Sequence, residues 1–163
     1  MKRNVFISIL LVSMVLGACA PKAAATAAPA EPEVCATDEY GCAKIEPGQT
    51  IKIGMGSPMT GGDASFGIDA ENSGKIAMAD AGEFKGFKFE LVAEDDGGSA
   101  EGGAAVANKF VADPTLVAVA GHLFSGATAA AMPTYEKAGI PMLSPSATNP
   151  DLTKKGSKVF NRV

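Results

Sequence analysis

Residues 50–163 alternate between short β-rich runs and stretches of small residues with helical spacing. The β-rich runs are Ile51–Gly56, Phe87–Ala93, Leu116–Ala120, Pro141–Ser144 and Lys158–Arg162, and the helical stretches are Ile68–Ala81, Ala100–Ala112 and Ala127–Ala138. Strand–helix–strand alternation favours a mostly parallel sheet, because parallel neighbours need a crossover connection. Short apolar runs are typical of strands covered on both faces. The sequence therefore predicts an α/β fold with a mostly parallel, Rossmann-like sheet and flanking helices.

Small residues predict close contact between the first long helix and this sheet. Aromatic residues make up only 6% of the chain, and 19 of its residues are glycine. Within Ile68–Ala81, small residues recur at helical spacing and form the stripe expected to face the sheet. They are Ala70, Ser73, Gly74, Ala77 and Ala81.

The N-terminus predicts export from the cytoplasm. Lys2 and Arg3 precede a mostly apolar run, Val5–Leu16, which is shorter than the roughly 20 residues that span a bilayer. Residues 1–18 are therefore predicted to be a signal peptide. The sequence Leu16-Gly-Ala-Cys19 resembles the bacterial lipoprotein signal, in which the cysteine is lipidated and becomes the new N-terminus. The alternative is ordinary cleavage at the Ala18-Cys-Ala20 site.

Residues 19–49 are predicted to be a disordered tether, because their first half is mostly alanine, proline and polar residues. Cys35 and Cys42 remain once Cys19 carries lipid. An even number of cysteines in an oxidising compartment favours a small disulfide loop. The alternative is two free thiols.

Several functions are excluded by composition and by absent motifs. The formal net charge of −4 offers no basic face for nucleic acid, and one histidine with three cysteines provides too few ligands for a zinc site. The glycine-rich segment Gly54–Asp63 has Met59 where a dinucleotide fingerprint needs glycine, and Gly62-Asp63 where a phosphate loop needs Lys-Ser/Thr. Neither a nucleophile elbow nor a zinc-protease motif occurs. We expect no enzyme activity, no metal and no cofactor.

Three titratable residues at predicted strand ends have two interpretations each. Asp95 and Asp96 suit acid–base chemistry or a hard cation, but a solvated strand end beside a helix N-terminus is favoured. His122 suits a general base, but that role would also need a nucleophile and an orienting acid, and a structural histidine at the end of the third strand is favoured.

Two loops offer groups that suit binding of a small polar ligand. Ser125 lies where the third strand meets the third helix, and a helix N-terminus attracts anions such as carboxylates. Its alternative role is N-capping. Ser146, Ala147 and Thr148 follow the fourth strand and offer hydroxyls, carbonyls and a peptide N–H, although a local turn would use the same groups. Asn149 before Pro150 is the pattern of a helix N-cap.

Eight short motifs in order resemble one family over residues 50–163. They are Ile51-Lys-Ile-Gly, Met59-Thr-Gly-Gly, Phe66-Gly, Glu94-Asp-Asp, Ala104-Ala-Val-Ala-Asn-Lys, Gly121-His-Leu-Phe-Ser-Gly-Ala-Thr128, Ala138-Gly-Ile-Pro and Ser144-Pro-Ser-Ala-Thr-Asn-Pro-Asp-Leu152. The set resembles the branched-chain amino-acid (Leu/Ile/Val-type) solute-binding proteins of ABC importers, which are type I periplasmic binding proteins. The resemblance implies an exported receptor that is a monomer when complete, with an amino acid and an ABC permease as partners and a lipid anchor in the membrane.

The resemblance also implies a site that binds a ligand and catalyses no reaction. Ser125 would bind the ligand carboxylate, Thr148 would contact the carboxylate and the ammonium, and the Ser146 carbonyl would accept from the ammonium. Phe66 would pack against the ligand side chain. Gly98 and Phe124 stand where some members have a disulfide, and the larger phenylalanine is expected to narrow the pocket.

Length is the main departure from this family, whose members close two lobes around the ligand. Residues 50–163 would form an incomplete first lobe, so we expect a truncated product or fragment with an exposed apolar face, weak affinity and marginal stability. An extracellular sensor of amides or small acids on the same fold is the alternative function.

Overall fold

The computed structural model describes residues 32–154 and 156–163; the predicted signal peptide and Cys19 lie outside them. The elements in chain order are α1 Glu33–Thr37, β1 Ile51–Ser57, α2 Ala64–Ala81, β2 Glu83–Phe84, β3 Phe87–Asp95, α3 Ala100–Val111, β4 Leu116–Ala120, α4 Ser125–Ala138, β5 Met142–Ser144, α5 Asp151–Lys154 and β6 Phe160–Arg162. Each predicted strand and each predicted long helix has a counterpart among them.

The strands form a single six-stranded sheet in the order β2-β3-β1-β4-β5-β6. All neighbours are parallel except β2, which pairs antiparallel with β3 through Phe84 and Phe87. In the parallel part, Ile51 lies beside Phe89 and Val119 beside Met142. The predicted mostly parallel α/β architecture is confirmed.

The direction of the crossovers places the helices on the two faces. The chain steps from β1 to β3 in one direction and from β3 across β1 to β4 in the other. Right-handed connections therefore put α2 on one face and α3 with α4 on the opposite face. The main apolar core lies beneath α3 and α4, and its fully buried members include Phe110, Tyr135, Met142 and Leu152.

Local sequence fixes the ends of the two core helices. The Ser99 hydroxyl accepts the N–H of Gly102 at 2.9 Å and caps the N-terminus of α3. Gly139 ends α4 in the left-handed conformation, with φ of 67°, which glycine adopts at little cost. The two helices pack closely because Gly103 has no side chain: a Cβ there would lie 2.5 Å from the Ala127 carbonyl oxygen.

The predicted small-residue stripe of α2 is partly wrong. Ser73, Ala77 and Ala81 are exposed, whereas Gly74 lies against Leu91 and Met55 of the sheet and Gly67 lies against the loop that follows β1. A Cβ at Gly67 would lie 2.0 Å from the Pro58 carbonyl oxygen. The helix begins four residues before the predicted start, and this tight contact at its first turn sets which side faces the sheet.

Part of the predicted disordered tether is ordered, which corrects the boundary at residue 49. Residues 32–49 contain α1 and a disulfide between Cys35 and Cys42, with an S–S distance of 2.05 Å. Tyr40 lies against Gly139, so that a Cβ on that glycine would approach its ring to 2.3 Å. Glu39 also pairs with Lys158 at 2.7 Å. These contacts hold the disulfide loop on the sheet domain, which spans Pro32–Val163 as one compact unit.

Candidate functional site

The candidate site lies at the carboxyl ends of the parallel strands. Strand order reverses at β1, so the connections that leave β1 and β4 run to opposite faces of the sheet. Ligands of open α/β sheets bind in the crevice that this reversal creates. The segments that border it are the β1–α2 loop, the β4–α4 loop and the loop after β5.

Ser125 is the first residue of α4, and its predicted alternative role as N-cap is not adopted. Phe124 occupies the N-cap position and has no side-chain acceptor, so no side chain caps the first turn. The Ser125 hydroxyl oxygen instead accepts the N–H of Asn149 at 3.1 Å. Its hydrogen stays available to donate, beside the positive end of the α4 dipole.

The loop after β5 is joined to the β4–α4 loop by two serine hydroxyls. Ser144, fully buried, donates to the carbonyl of His122 at 2.6 Å and accepts the N–H of Ala147 at 3.0 Å. The Ser146 hydroxyl donates to the carbonyl of Leu123 at 2.8 Å. The structure thus brings Ser125, Ser146 and Ala147 together, with Thr148 between Ala147 and Asn149.

Ala147 supports this loop from inside. It is 2% exposed, its N–H is bound by Ser144, and its carbonyl accepts from Arg162 at 3.0 Å. Arg162 also donates to the Asn149 carbonyl at 2.9 Å. The polar groups of the Ala147 main chain are therefore already satisfied by the protein.

Ser146 and Thr148 are exposed, and three of their polar groups form no hydrogen bond with the described part of the chain. Within residues 32–154 and 156–163, nothing bonds to the Thr148 hydroxyl, the Thr148 N–H or the Ser146 carbonyl. Together with the Ser125 hydroxyl they offer both hydrogen-bond donors and a carbonyl acceptor. Asn149 adopts its predicted capping role, since its side-chain oxygen accepts the N–H of Asp151 at 2.9 Å.

Phe66 lies in the first turn of α2 and is 60% exposed. The shallow hollow beside it is lined by other residues of the same helix, among them Ile68 and Asn72. The predicted packing of Phe66 against a ligand side chain stays a prediction.

Asp95 fixes the β1–α2 loop. Its carboxylate accepts the N–H of Met59 and of Gly97, each at 2.8 Å, and the hydroxyl of Thr60 at 2.5 Å. The bond from Thr60, followed by those from the backbone, lowers the pKa of Asp95 because all of them favour the charged form. Asp95 is thus a structural residue at a strand end, the interpretation favoured from its position.

Asp96 and His122 are buried partners in the structure, and because Asp96 is only 1% exposed, the solvated strand end that was favoured for it is wrong. His122 has no exposed surface, and its Nδ1 lies 2.7 Å from Asp96 Oδ2 while Nε2 lies 3.0 Å from the Tyr135 hydroxyl. This is the structural histidine that was favoured. Sequence reasoning did not single out Tyr135, Ser144 or Arg162 for the site, although Ser144 begins the last of the eight motifs.

The described residues contain no group of three or more His, Cys, Asp or Glu side chains placed to hold a metal ion. In the same part of the chain, no helix combines the length and apolar character needed to cross a bilayer.

Comparison with known proteins identifies the family. The model of the periplasmic binding protein family, a family of solute-binding proteins, matches residues 50–161. The chain belongs to the periplasmic binding protein family.

Similar proteins carry names and ligands that agree with this membership. A leucine-, isoleucine-, valine-, threonine- and alanine-binding protein of Pseudomonas aeruginosa is 38% identical over 118 residues, which are 70% of this chain and 31% of that protein. The branched-chain amino-acid transporter substrate-binding protein LivJ of Streptococcus pneumoniae, solved with isoleucine, is 35% identical with a TM-score of 0.65, over 70% of this chain and 33% of that one.

A third similar protein was solved with a different ligand. The solute-binding protein of an ABC transporter from Rhodopseudomonas palustris, solved with 3,4-dihydroxybenzoic acid, is 27% identical with a TM-score of 0.64. The match covers 69% of this chain and 31% of that one. The chain therefore spans about a third of the length of its relatives, and the resemblance to Leu/Ile/Val-type type I binding proteins is confirmed for that third.

Proposed function

We propose that the complete protein is the extracytoplasmic solute-binding component of an ABC importer and binds an amino acid with an aliphatic side chain. The observation that supports it is the set of polar groups still able to bind a ligand, which are the hydroxyl hydrogen of Ser125, the carbonyl of Ser146 and the hydroxyl and N–H of Thr148, on segments tied together by hydrogen bonds. The named ligands of the P. aeruginosa and S. pneumoniae relatives agree with it.

The two ends of an amino acid call for different groups. The ligand carboxylate would accept from the Ser125 hydroxyl and from the uncapped N–H groups of the first turn of α4, where the helix dipole also favours negative charge. The ammonium would donate to the Ser146 carbonyl, and Thr148 would contact both charges. A site built from such bonds rejects analogues that lack one of the charged groups.

These groups line one side of the ligand only. A second lobe would close over the first and supply the remaining contacts, and the closed form would be recognised by the permease. Cleft closure around a bound solute needs no bond-breaking step, so we propose binding without catalysis.

A second ligand class has specific support. The R. palustris relative is solved with an aromatic acid, whose carboxylate is the group it shares with isoleucine. The carboxylate contacts at Ser125 and Thr148 would suit either ligand. A sensor of amides or small acids without a transporter is the remaining alternative, and it has less support from these relatives.

Calorimetric titration of the complete gene product separates these ligands. A panel of leucine, isoleucine, valine, leucinamide and 4-hydroxybenzoate tests whether both charges of an amino acid are needed. Thr148→Ala should weaken amino-acid binding at least about tenfold, since it removes a hydrogen bond to a charged group. Thr153→Ala is the matched control, because Thr153 lies on α5 and its exposed hydroxyl donates to the Pro150 carbonyl. Equal affinities in both variants would remove Thr148 from the site.

The proposed location is the outer face of the cytoplasmic membrane, with Cys19 as the lipid-bearing residue. Cys19→Ser should abolish labelling with radioactive palmitate and release the protein from membranes. Labelling that persists in this variant would contradict the lipoprotein signal and favour cleavage at Ala18-Cys-Ala20.

A further inference from the structure

His122 is held on three sides at the end of β4. Its ring lies against Gly56 of β1, where a Cβ would come within 2.4 Å of two ring atoms. Asp96, at the end of β3, binds Nδ1 at 2.7 Å, and Tyr135 of α4 binds Nε2 at 3.0 Å. All three side chains are essentially unexposed, so the ring connects two strands and a helix through buried hydrogen bonds.

The hydrogen atoms of this cluster follow from its acceptors. The Asp96 carboxylate oxygen Oδ2 is an acceptor, so Nδ1 of His122 carries the hydrogen of this bond. The other carboxylate oxygen of Asp96 accepts the Gly98 N–H at 2.8 Å. Nε2 is the partner of the Tyr135 hydroxyl among the described residues, so we assign the hydroxyl hydrogen to a bond in which Nε2 accepts. Burial raises the pKa of Tyr135, which keeps this hydroxyl protonated. With this arrangement, every polar hydrogen of the three side chains has an acceptor.

The main-chain carbonyl of the same residue is the anchor of the site loop. It accepts the Ser144 hydroxyl at 2.6 Å and the buried Thr128 hydroxyl at 3.1 Å. Ser144 in turn accepts the N–H of Ala147, next to Thr148. A continuous chain of bonds therefore runs from Tyr135 through His122 and Ser144 to the loop that carries the proposed ligand contacts.

We propose that His122 is a positioning residue of the ligand site: its clamped ring fixes its own carbonyl, which sets the position of residues 146–148 through Ser144. The part of this inference that concerns affinity rests on the proposed function, and the part that concerns the loop does not. A side chain that filled the same space without two ring nitrogens would leave Asp96 Oδ2 and the Tyr135 hydroxyl without partners and release the carbonyl.

Amide hydrogen exchange of the complete protein, followed residue by residue, tests the loop without any ligand. Tyr135→Phe removes only the donor to Nε2 and should speed exchange of the Ala147 N–H by about threefold to tenfold. The Val119 N–H, which donates to the Pro141 carbonyl within the sheet, is the internal reference and should keep its wild-type rate. Tyr40→Phe is the matched control and should leave both amides unchanged.

The route through Ser144 is tested in a second background. Ser144→Ala removes the hydroxyl that connects His122 to Ala147, so adding Tyr135→Phe to it should not speed Ala147 exchange further. An additive effect would overturn the route. If Tyr135→Phe fails to fold, Thr128→Val, which removes the other donor to the His122 carbonyl, should loosen Ala147 in the same way, and an unchanged Ala147 rate would overturn the proposal.

Amino-acid titration of the same variants separates the two proposals. Tyr135→Phe should weaken affinity by about threefold to tenfold while Tyr40→Phe does not. If Tyr135→Phe speeds exchange of the Ala147 N–H but the wild-type protein binds no amino acid, the result would support positioning by His122 and contradict the proposed function. Equal exchange of Ala147 in wild type and Tyr135→Phe, or acceleration of Val119 to the same extent, would overturn positioning.

Discussion

The ring of Phe124 lies directly on the backbone of Gly98, where a Cβ would be 2.8 Å from its Cδ2 atom. Gly98 follows β3 and Phe124 precedes α4, so this contact joins two loops at the carboxyl edge of the sheet. Gly98 also has a φ of +66°, which strongly favours glycine. These are the two positions where the resemblance implied a disulfide in some relatives, and here an aromatic contact joins them.

Gly98→Ala should lower the free energy of unfolding by about 2–4 kcal/mol, because it adds backbone strain and a clash with a packed ring. Gly97→Ala is the matched control: its φ is +54°, but nothing lies within 4 Å of its Cβ position. Strain alone should cost that variant about 1–2 kcal/mol in denaturant unfolding. Equal losses in the two variants would show that the Phe124 contact is not tight.

The alternation of strand and helix patterns was sufficient to predict the fold, because the hydrophobic pattern of each element can be recognised within a short run of consecutive residues. The β2–β3 hairpin was missed, since its turn is Lys85-Gly86 and lacks the Asn-Gly or Asp-Gly signal. Lys85 nevertheless takes a φ of 52° and Gly86 one of 84°, the signs that such a turn requires. The Cys35–Cys42 disulfide was the favoured interpretation, but the packing of its loop on the sheet domain was missed, because the contacts with Gly139 and Lys158 join residues far apart in sequence.

Only those residues of the candidate site that follow a predicted strand directly could be predicted from the sequence. Ser125, Ser146 and Thr148 could be found because parallel strands share one carboxyl edge. Arg162 and Tyr135 could not, because their roles depend on β6 and α4 lying beside loops that no local pattern connects to them. The face of α2 that packs against the sheet was predicted wrongly for a similar reason, because a contact with Pro58, outside the helix, determines it.

Ser57→Ala should raise the free energy of unfolding by about 1 kcal/mol. Ser57 is fully buried, and its hydroxyl is the buried side-chain polar atom without a partner among the described residues. Alanine removes that unsatisfied group and leaves little empty volume. Ser99→Ala is the control with opposite sign, as it removes the α3 cap and should lose about 1 kcal/mol. Destabilisation by Ser57→Ala in thermal unfolding would show that the hydroxyl has a partner.

Replacing both Cys35 and Cys42 by serine should destabilise the domain by about 2 kcal/mol. The bridge joins residues seven positions apart and limits the unfolded chain. Lys158→Met in the oxidised protein removes the Glu39 ion pair alone and should cost less than about 1 kcal/mol, since both side chains are exposed. Denaturant midpoints that coincide for the double serine variant and the wild type would show that the loop adds nothing to stability.

Asp113 should give the domain a pH-dependent contribution to stability. Its carboxylate accepts from Lys52 at 2.7 Å and from the Thr115 hydroxyl at 2.7 Å. These bonds, the one from Lys52 first, lower the pKa of Asp113 from 3.8 to about 2. A group with a lowered folded-state pKa stabilises fully above its unfolded value and loses that contribution as the pH falls toward the folded value.

Asp113→Asn should therefore lose about 1 kcal/mol at pH 7, a figure that allows for solvent screening of a pair about 30% exposed. The difference in unfolding free energy between wild type and variant should shrink as the pH falls from 3.8 to about 2. The contributions of the other carboxylates to the pH dependence cancel in this difference, because those groups titrate equally in wild type and variant. Urea unfolding between pH 7 and pH 2 measures it, and a difference that stays constant over this range would show that Asp113 has the same affinity for protons in the folded and unfolded chain.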